Sequence, residues 1–502
     1  MTQEAAQAHG SAPGPNSLHR ELSRAWQTTV QLGVSLACTW TVAVLVRFAV
    51  PRHLGPLQFG ELSFAETFTA GFFVFANLGI DTYTMRETVS HPKHVSDYFA
   101  GVHLLRLMIS VALMFALLSV LFMRGKSPAL LLAAEVWALT HAMITVNGTL
   151  GTVLQAMGST ERLAVANVIA KMAWGIGLLF ALWYGDANTL FLFVVPALAS
   201  EVLRCWLIYP AARSAVGLHF RVDVAATREV LKASLPYNLG AIAIALGAPL
   251  NFVALELLNT DKHEPGWYGA TLNLATLALV FSPMLQWVQM PLLARARRRS
   301  SAEVNAILAY SLEALLVISI PLALIGALGG QLFVRLALGA AYAPATMAFQ
   351  VLVVMIVFTC AAMILANGLI THGKGWALSA LSVANVLAAP LFSVVLVPIM
   401  HRSLGTGGEA AGAAIALALT EVIVVGLAFA RMGPGLLTAR LVKAVGKSLV
   451  ACAVVVGVHW RFAGYGDARL VLDLLVYGLF ALVLRVVDFR ELRQLVRDVR
   501  AA

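Results

Sequence analysis

Stretches of about twenty apolar residues recur along this 502-residue chain, separated by short polar breaks. That feature narrows the possible folds sharply. A hydrocarbon core roughly 30 Å thick is crossed by about 20 residues of helix. In lipid only helices and closed barrels satisfy their own backbone polar groups. Spans are expected near 27–50, 62–85, 99–123, 129–153, 164–184, 189–212, 234–257, 268–293, 304–329, 345–369, 375–399, 409–431, 444–462 and 468–487. The sequence therefore predicts an all-α polytopic membrane protein with about 14 transmembrane helices. Composition agrees, with 60% hydrophobic and only 12% charged residues, against about 25% charged in soluble domains.

Lys and Arg in short loops set orientation. With the N-terminus on the cytoplasmic side, that side receives Arg20, Arg24, Lys93, Arg213, Lys232, the Arg295–Arg299 run, Arg440 and Lys447, and the other side receives far fewer. The even span count returns the C-terminus to the cytoplasm. The net charge of +10 then reads as a topology signal, and no nucleic-acid partner is implied. Residues 1–26 are polar and carry Glu4 and Arg20, unlike a cleavable signal. In the tail, 488–502, Phe489, Leu492, Leu495, Val496 and Val499 share one helical face, and Arg490, Arg493, Arg497 and Arg500 share another. Such a tail lies along the inner membrane surface or docks as a terminal helix.

The four cysteines fall singly in different spans, so neither a metal site nor a disulfide framework is expected, and no cofactor is implied. Nucleotide-driven transport is not signalled either. A phosphate-cradling loop needs a first glycine where Val120 and Leu441 stand, ahead of Gly125-Lys126-Ser127 and Gly446-Lys447-Ser448.

Two stretches resemble each other. Pro51-Arg52-His53-Leu54-Gly55-Pro56-Leu57-Gln58-Phe59-Gly60 follows the first span, and His263-Glu264-Pro265-Gly266-Trp267-Tyr268-Gly269-Ala270 follows the seventh. Each pairs glycine–proline chemistry with an aromatic–glycine pair. The spacing predicts a duplicated six-helix unit: lobes over 27–220 and 221–435, with an appended helix pair over 436–487.

The first stretch, followed by Asn77-Leu78-Gly79-Ile80-Asp81 and Arg86-Glu87, resembles the N-terminal signature of bacterial polysaccharide transporters, the Wzx-type flippases. Ser234-Leu235-Pro236, Gly266-Trp267-Tyr268-Gly269 and Leu338-Gly339-Ala340-Ala341-Tyr342 fit the same pattern in order. The resemblance implies a member of the multidrug/oligosaccharidyl-lipid/polysaccharide exporter superfamily. Such proteins have two lobes around a central cavity that opens alternately to each side, with two added helices in this branch. It further implies, as substrate, an undecaprenyl-diphosphate-linked oligosaccharide carried across the bacterial inner membrane. H⁺ or Na⁺ would be the coupling ion, membrane lipid the surroundings, and a polysaccharide polymerase with its export machinery a further partner.

A diphosphate-bearing lipid needs a cationic, hydrated cavity. The candidate cations are Arg47, Arg86, Arg106, Lys171 and Arg204, since ionisable residues at membrane depth are costly and signal function. Arg47 and Arg86 could instead snorkel to an interface, and the three-residue spacing of Glu201 and Arg204 favours a structural ion pair. Candidates for ion coupling are Glu66, Glu135 and Asp81; any of them could equally neutralise a neighbouring arginine. Asn147, Asn251 and Asn273 could line a glycan path or form interhelical hydrogen bonds.

The reading that follows is a non-enzymatic flippase. A multidrug/cation antiporter is the alternative, although residues 27–50 carry only Arg47 as a charge, where such antiporters concentrate an acid. A lipid II flippase also suits a cationic cavity. A membrane glycosyltransferase is disfavoured by the absence of Asp-x-Asp and by short outer loops.

Overall fold

A computed structural model of the protein describes residues 15–91, 94–185, 189–281, 289, 292–293 and 295–484. All regular structure among them is helical. The tail at 488–502 and residues 1–14 lie outside the described residues. In chain order the helices are α1 (Pro15–Asn77), α2 (Ile80–Ser90), α3 (His94–Met123), α4 (Pro128–Ala156), α5 (Thr160–Tyr184), α6 (Val195–Val216), α7 (Val224–Leu258) and α8 (Glu264–Ala275). They continue as α9 (Ser301–Leu328), α10 (Gly330–Ala337), α11 (Thr346–Thr371), α12 (Gly375–Leu404), α13 (Gly408–Met432), α14 (Ala439–Arg461) and α15 (Arg469–Val483).

Nine described helices are long and apolar enough to cross a membrane, so the protein is a multi-pass membrane protein. The other five expected spans fall on elements outside those nine, and parts of them lie outside the described residues. Two share α1, two involve α7 and α8, and the last is the short α15. Outward-facing apolar side chains such as Phe115, Phe122, Leu179, Phe180 and Leu391 form the surface that lipid would cover.

α1 is two rods. Gly55 takes φ 72°, ψ 172°, and Pro56 starts the second rod. Only glycine enters that backbone region without strain, and proline suits the first turn of a helix, where its missing N–H costs nothing. The expected span 62–85 is corrected likewise, because its helix stops at Asn77. Leu78 and Gly79 follow with positive φ, 57° and 66°, before α2 begins. The sequence also gave no sign of α10 or of the 3₁₀ turn Ala340–Ala345, which are too short to register as spans.

Buried apolar side chains gather in three clusters. One, containing Leu54, Phe59, Phe252, Tyr268, Tyr342 and Leu352, draws on both halves of the chain. A second, with Ile80, Tyr98, Leu150, Ile208 and Val230, belongs to the first half and the start of α7. A third, with Val304, Leu308, Leu365, Leu369 and Leu441, belongs to the second half. One end of the molecule is thus sealed by a shared core, whereas at the other end the two halves keep separate cores. We refer to these as the closed end and the open end.

Candidate functional site

A cavity of about 220 Å³ lies within the first half, against α8 of the second, and its lining includes Arg47, Glu66, Lys171 and, from the second half, Asn273. Each comes from a different rod: Arg47 from the first rod of α1, Glu66 from the second, Lys171 from α5 and Asn273 from α8. Arg47 Nη1 donates to the Asn273 carbonyl oxygen at 3.2 Å and lies 3.5 Å from Thr276 Oγ1. At Thr276 the α8 winding gives way to 3₁₀ winding, and the Asn273 carbonyl also accepts from Thr276 Oγ1 at 3.1 Å. The Arg47 guanidinium stands 5.8 Å from the Trp40 ring, and Lys171 Nζ lies 3.4 Å from the Trp174 ring centroid. These cation–π contacts hold both positive groups over aromatic faces and leave their hydrogen-bonding capacity largely open. Glu66 faces the cavity within electrostatic reach of both. Two cations and one carboxylate leave one positive charge, suited to an anion, with a carboxylate beside it able to take a proton or Na⁺.

A second compartment of about 260 Å³ is lined by Phe73, Asn77, His141, Thr145, Ile242 and Ala245, among others. Trp137 of the first compartment and His141 of the second sit one turn apart on α4, ring centroids 6.1 Å from each other, and His141 also stacks on Phe73 at 5.9 Å. Trp137 Nε1 and His141 Nε2 are buried and, among the described residues, have no hydrogen-bond partner. Orphaned buried groups of this kind cost about 1–3 kcal/mol each. Residue-by-residue reading missed both side chains. The usable signal was the spacing of Trp137, His141 and Thr145 at four-residue steps, which places them on one helix face.

Other candidates are set behind the wall. Arg106 is 1% exposed. Its guanidinium donates to the Thr145 carbonyl (3.0 Å), Thr149 Oγ1 (2.6 Å), the Asn77 carbonyl (2.6 Å) and Asn77 Oδ1 (3.2 Å), and it pairs with Asp81 Oδ1 at 3.2 Å. Asp81 also accepts from Thr149 Oγ1 at 2.9 Å. The Asn77-to-Asp81 motif is therefore a helix break, and Arg106 fastens it to α4 by taking the carbonyl the break exposes. Asn147 Nδ2 donates to Glu201 Oε2 at 2.7 Å and to its carbonyl at 2.9 Å, with Arg204 Nη1 3.5 Å from the same carboxylate. This triad clasps α4 to α6. Asn251, fully buried, donates to Tyr268 Oη at 2.7 Å and to the Ala413 carbonyl at 3.3 Å, and accepts from Ser393 Oγ at 2.7 Å. Glu135 faces a shallow groove between α3 and α4, away from Trp137. The side chain of Arg86, on α2, lies outside the described residues.

Three of the sequence motifs converge on the closed end. A Cβ on Gly60 would sit 2.8 Å from Gly266 N, and one on Gly266 would sit 1.8 Å from the Pro56 carbonyl oxygen, so α1 and α8 cross backbone to backbone. Glycine permits that approach. Tyr342 Oη donates to the Pro51 carbonyl at 2.9 Å and Trp267 Nε1 to the Ala341 carbonyl at 3.0 Å. The Pro51–Gly60, Gly266–Gly269 and Leu338–Tyr342 stretches are thus one joint between the halves.

Residues 26–297, more than half of the chain, match the family model described as polysaccharide biosynthesis protein. The chain belongs to that family. The resemblance carried by the motifs is borne out at this level. Among solved structures, a lipid II flippase MurJ in an inward closed conformation matches with a TM-score of 0.69 at 12% identity, covering 92% of this chain and 99% of that one. An inward-facing multidrug resistance transporter of the MATE family, in the MOP superfamily, matches at 0.64 and 15% identity, covering 82% and 99%. An outward-facing MATE family transporter matches at 0.53 and 16%, covering 80% and 93%. No curated protein matches the chain. At these identities the likeness establishes a shared fold and no more.

Proposed function

We propose that this family member is a flippase for undecaprenyl-diphosphate-linked oligosaccharide units, feeding exopolysaccharide or O-antigen synthesis at the bacterial inner membrane. The observation that carries the reading is the cavity in the first half, closed on one side by Asn273 of the second, with Arg47 and Lys171 on its wall beside Glu66. The two cations receive the diphosphate, and the polar and aromatic lining of the second compartment receives the first sugars. The apolar tail stays in lipid. The halves 27–220 and 221–435 act as rocking lobes with 436–487 appended. The open end faces the cytoplasm, as do both termini.

Glu66 is the coupling carboxylate, taking H⁺ or Na⁺ while the bound substrate anion neutralises the two cations around it, and ionising to neutralise them itself once the anion has left. Attraction between opposite unit charges about 4 Å apart is roughly 4 kcal/mol at an effective dielectric of 20. A change in Glu66 charge can therefore retune the anion site. A polymerase and export machinery would take up the product on the far side. The MATE-like fold keeps a drug antiporter in view, but the sole charge expected in the first span is Arg47, a cation facing the cavity, which disfavours cationic drugs.

The test is deletion of the gene with lipid-linked glycans assayed by membrane side. Accumulation on the cytoplasmic face supports the reading. An unchanged glycan distribution with altered drug resistance would replace it by the antiporter.

A further inference from the structure

A separate cavity of about 450 Å³ sits at the closed end, beside the Gly60–Gly266 crossing, and Glu61, Arg124, Lys126, Glu256 and Lys262 line it. Glu61, Arg124 and Lys126 belong to the first half of the chain, Glu256 and Lys262 to the second. One ion pair bridges the halves: Lys126 Nζ lies 2.5 Å from Glu256 Oε1. It is oriented on both sides, by the Phe64 ring 4.9 Å from Lys126 Nζ and by Asn259 Nδ2 3.3 Å from Glu256 Oε2. Glu61 feels the charges of Lys126, Glu256 and Lys262 together, and among the described residues it makes no hydrogen bond or ion pair of its own.

If the closed end opens, as alternating access requires, the Lys126–Glu256 pair must part. Breaking a partly buried pair leaves two stranded charges, an expensive outcome unless each finds another partner. The cavity supplies one to each half: Glu61 stands in the half of Lys126, and Lys262 in the half of Glu256. We infer that these four side chains form a charge-exchange clasp, in which the bridge between halves is traded for one pair within each half, with Glu61 and Lys262 as the positioning residues. The inference rests on the alternating-access reading above. It also gives the layout a rationale: a bridge meant only to hold the end shut would not need a spare counter-ion in each half.

Opening is read in the full-length protein in lipid nanodiscs from the distance between spin labels at Met123 and Leu404, which lie on exposed helix ends of the two halves. Glu61→Gln leaves the Lys126–Glu256 bridge untouched, so a purely structural bridge predicts wild-type opening. The clasp predicts that the open-distance population falls roughly tenfold while the closed distance is unchanged. A second set of variants is made in an Arg124→Gln background, which removes the other cation of the same turn. There, Lys126→Glu with Glu256→Lys restores the bridge with reversed polarity. Position 126 then meets Glu61 and position 256 meets Lys262, like charges within each half.

The clasp predicts that this double swap closes normally and fails to open, and that adding Glu61→Lys and Lys262→Glu restores opening. Full opening of the double swap, or no recovery in the fourfold variant, would overturn the inference. A wild-type protein whose closed distance never lengthens, with or without substrate and at any pH or Na⁺ concentration tried, would instead overturn the transport reading itself.

Discussion

Gly266→Ala puts the closed-end joint to a quantitative test. The added methyl would stand 1.8 Å from the Pro56 carbonyl oxygen, 2.7 Å from its carbon and 3.1 Å from Gly60 N, all backbone atoms. Carbon–oxygen contacts settle at about 3.4 Å, so α1 and α8 must separate by roughly 1.5 Å at their crossing. No side-chain rotation relieves the clash. Overpacking of this kind costs about 1–3 kcal/mol. If the strain is confined to the sealed conformation, the closed-to-open ratio drops about 5- to 150-fold. The assay is the Met123–Leu404 label distance, together with thermal unfolding in detergent to confirm that the separate open-end cores survive. Gly426→Ala is the control, because a Cβ there meets nothing within 4 Å, and alanine is the better helix former by about 1 kcal/mol. An unchanged distance distribution in Gly266→Ala would refute the claim that this backbone crossing seals the end.

Arg106→Leu strips Asp81 and the Asn77 carbonyl of their charged donor and should cost about 3–5 kcal/mol; thermal unfolding should show a large loss that Asp81→Leu added to Arg106→Leu partly relieves. Trp137→Phe keeps the cavity ring and deletes an unpaired N–H, so it should slow transport with stability equal or higher, whereas a loss of stability would mean that the N–H is satisfied in the fold. His372, in the turn after α11, bonds Asn305 Oδ1 at 2.8 Å. Its pKa is held below the usual histidine value by burial, then by Lys374 and Arg297. The unfolded chain therefore takes up a proton as pH falls below about 6.5 before the folded one does. The contribution of His372 is present above that pH and lost below it; His372→Asn should flatten the acid side of the unfolding-temperature profile, and an unchanged acid slope would contradict the assignment.

Membrane character and most helix positions were legible in the sequence because hydropathy and span length are local quantities. The Gly55 and Leu78–Gly79 breaks were less legible: the residues stood in plain view, but inside runs apolar enough to read as continuous helix. Arg47, Lys171, Glu66 and Asn273 were found from a simple argument, that charge and polarity inside lipid demand a reason, and the fold brings them to one cavity. The same argument also singled out Arg106, Arg204, Asp81, Asn147 and Asn251, which the fold uses as internal fasteners. Burial cost alone cannot distinguish a cation lining a cavity from one already satisfied by acceptors on another helix. The aromatic side chains Trp137 and His141 escaped because apolar and aromatic positions are unremarkable in a membrane helix; their role depends on which face turns inward. Three of the family motifs, Pro51–Gly60, Gly266–Gly269 and Leu338–Tyr342, mark the joint, where close backbone packing constrains residue type tightly.

The central claim, that the cationic cavity carries a lipid-linked oligosaccharide diphosphate across the bilayer, is tested most directly with purified protein in liposomes. Translocation is measured as the time-dependent exposure of an inner-leaflet undecaprenyl-diphosphate oligosaccharide to an external glycosidase. Wild-type protein should speed exposure over protein-free vesicles, and Arg47→Glu with Lys171→Glu should return it to that baseline while folded protein is recovered in equal amount. Equal rates for wild-type and doubly reversed protein, or no acceleration by the wild type under any proton or sodium gradient, would contradict the account.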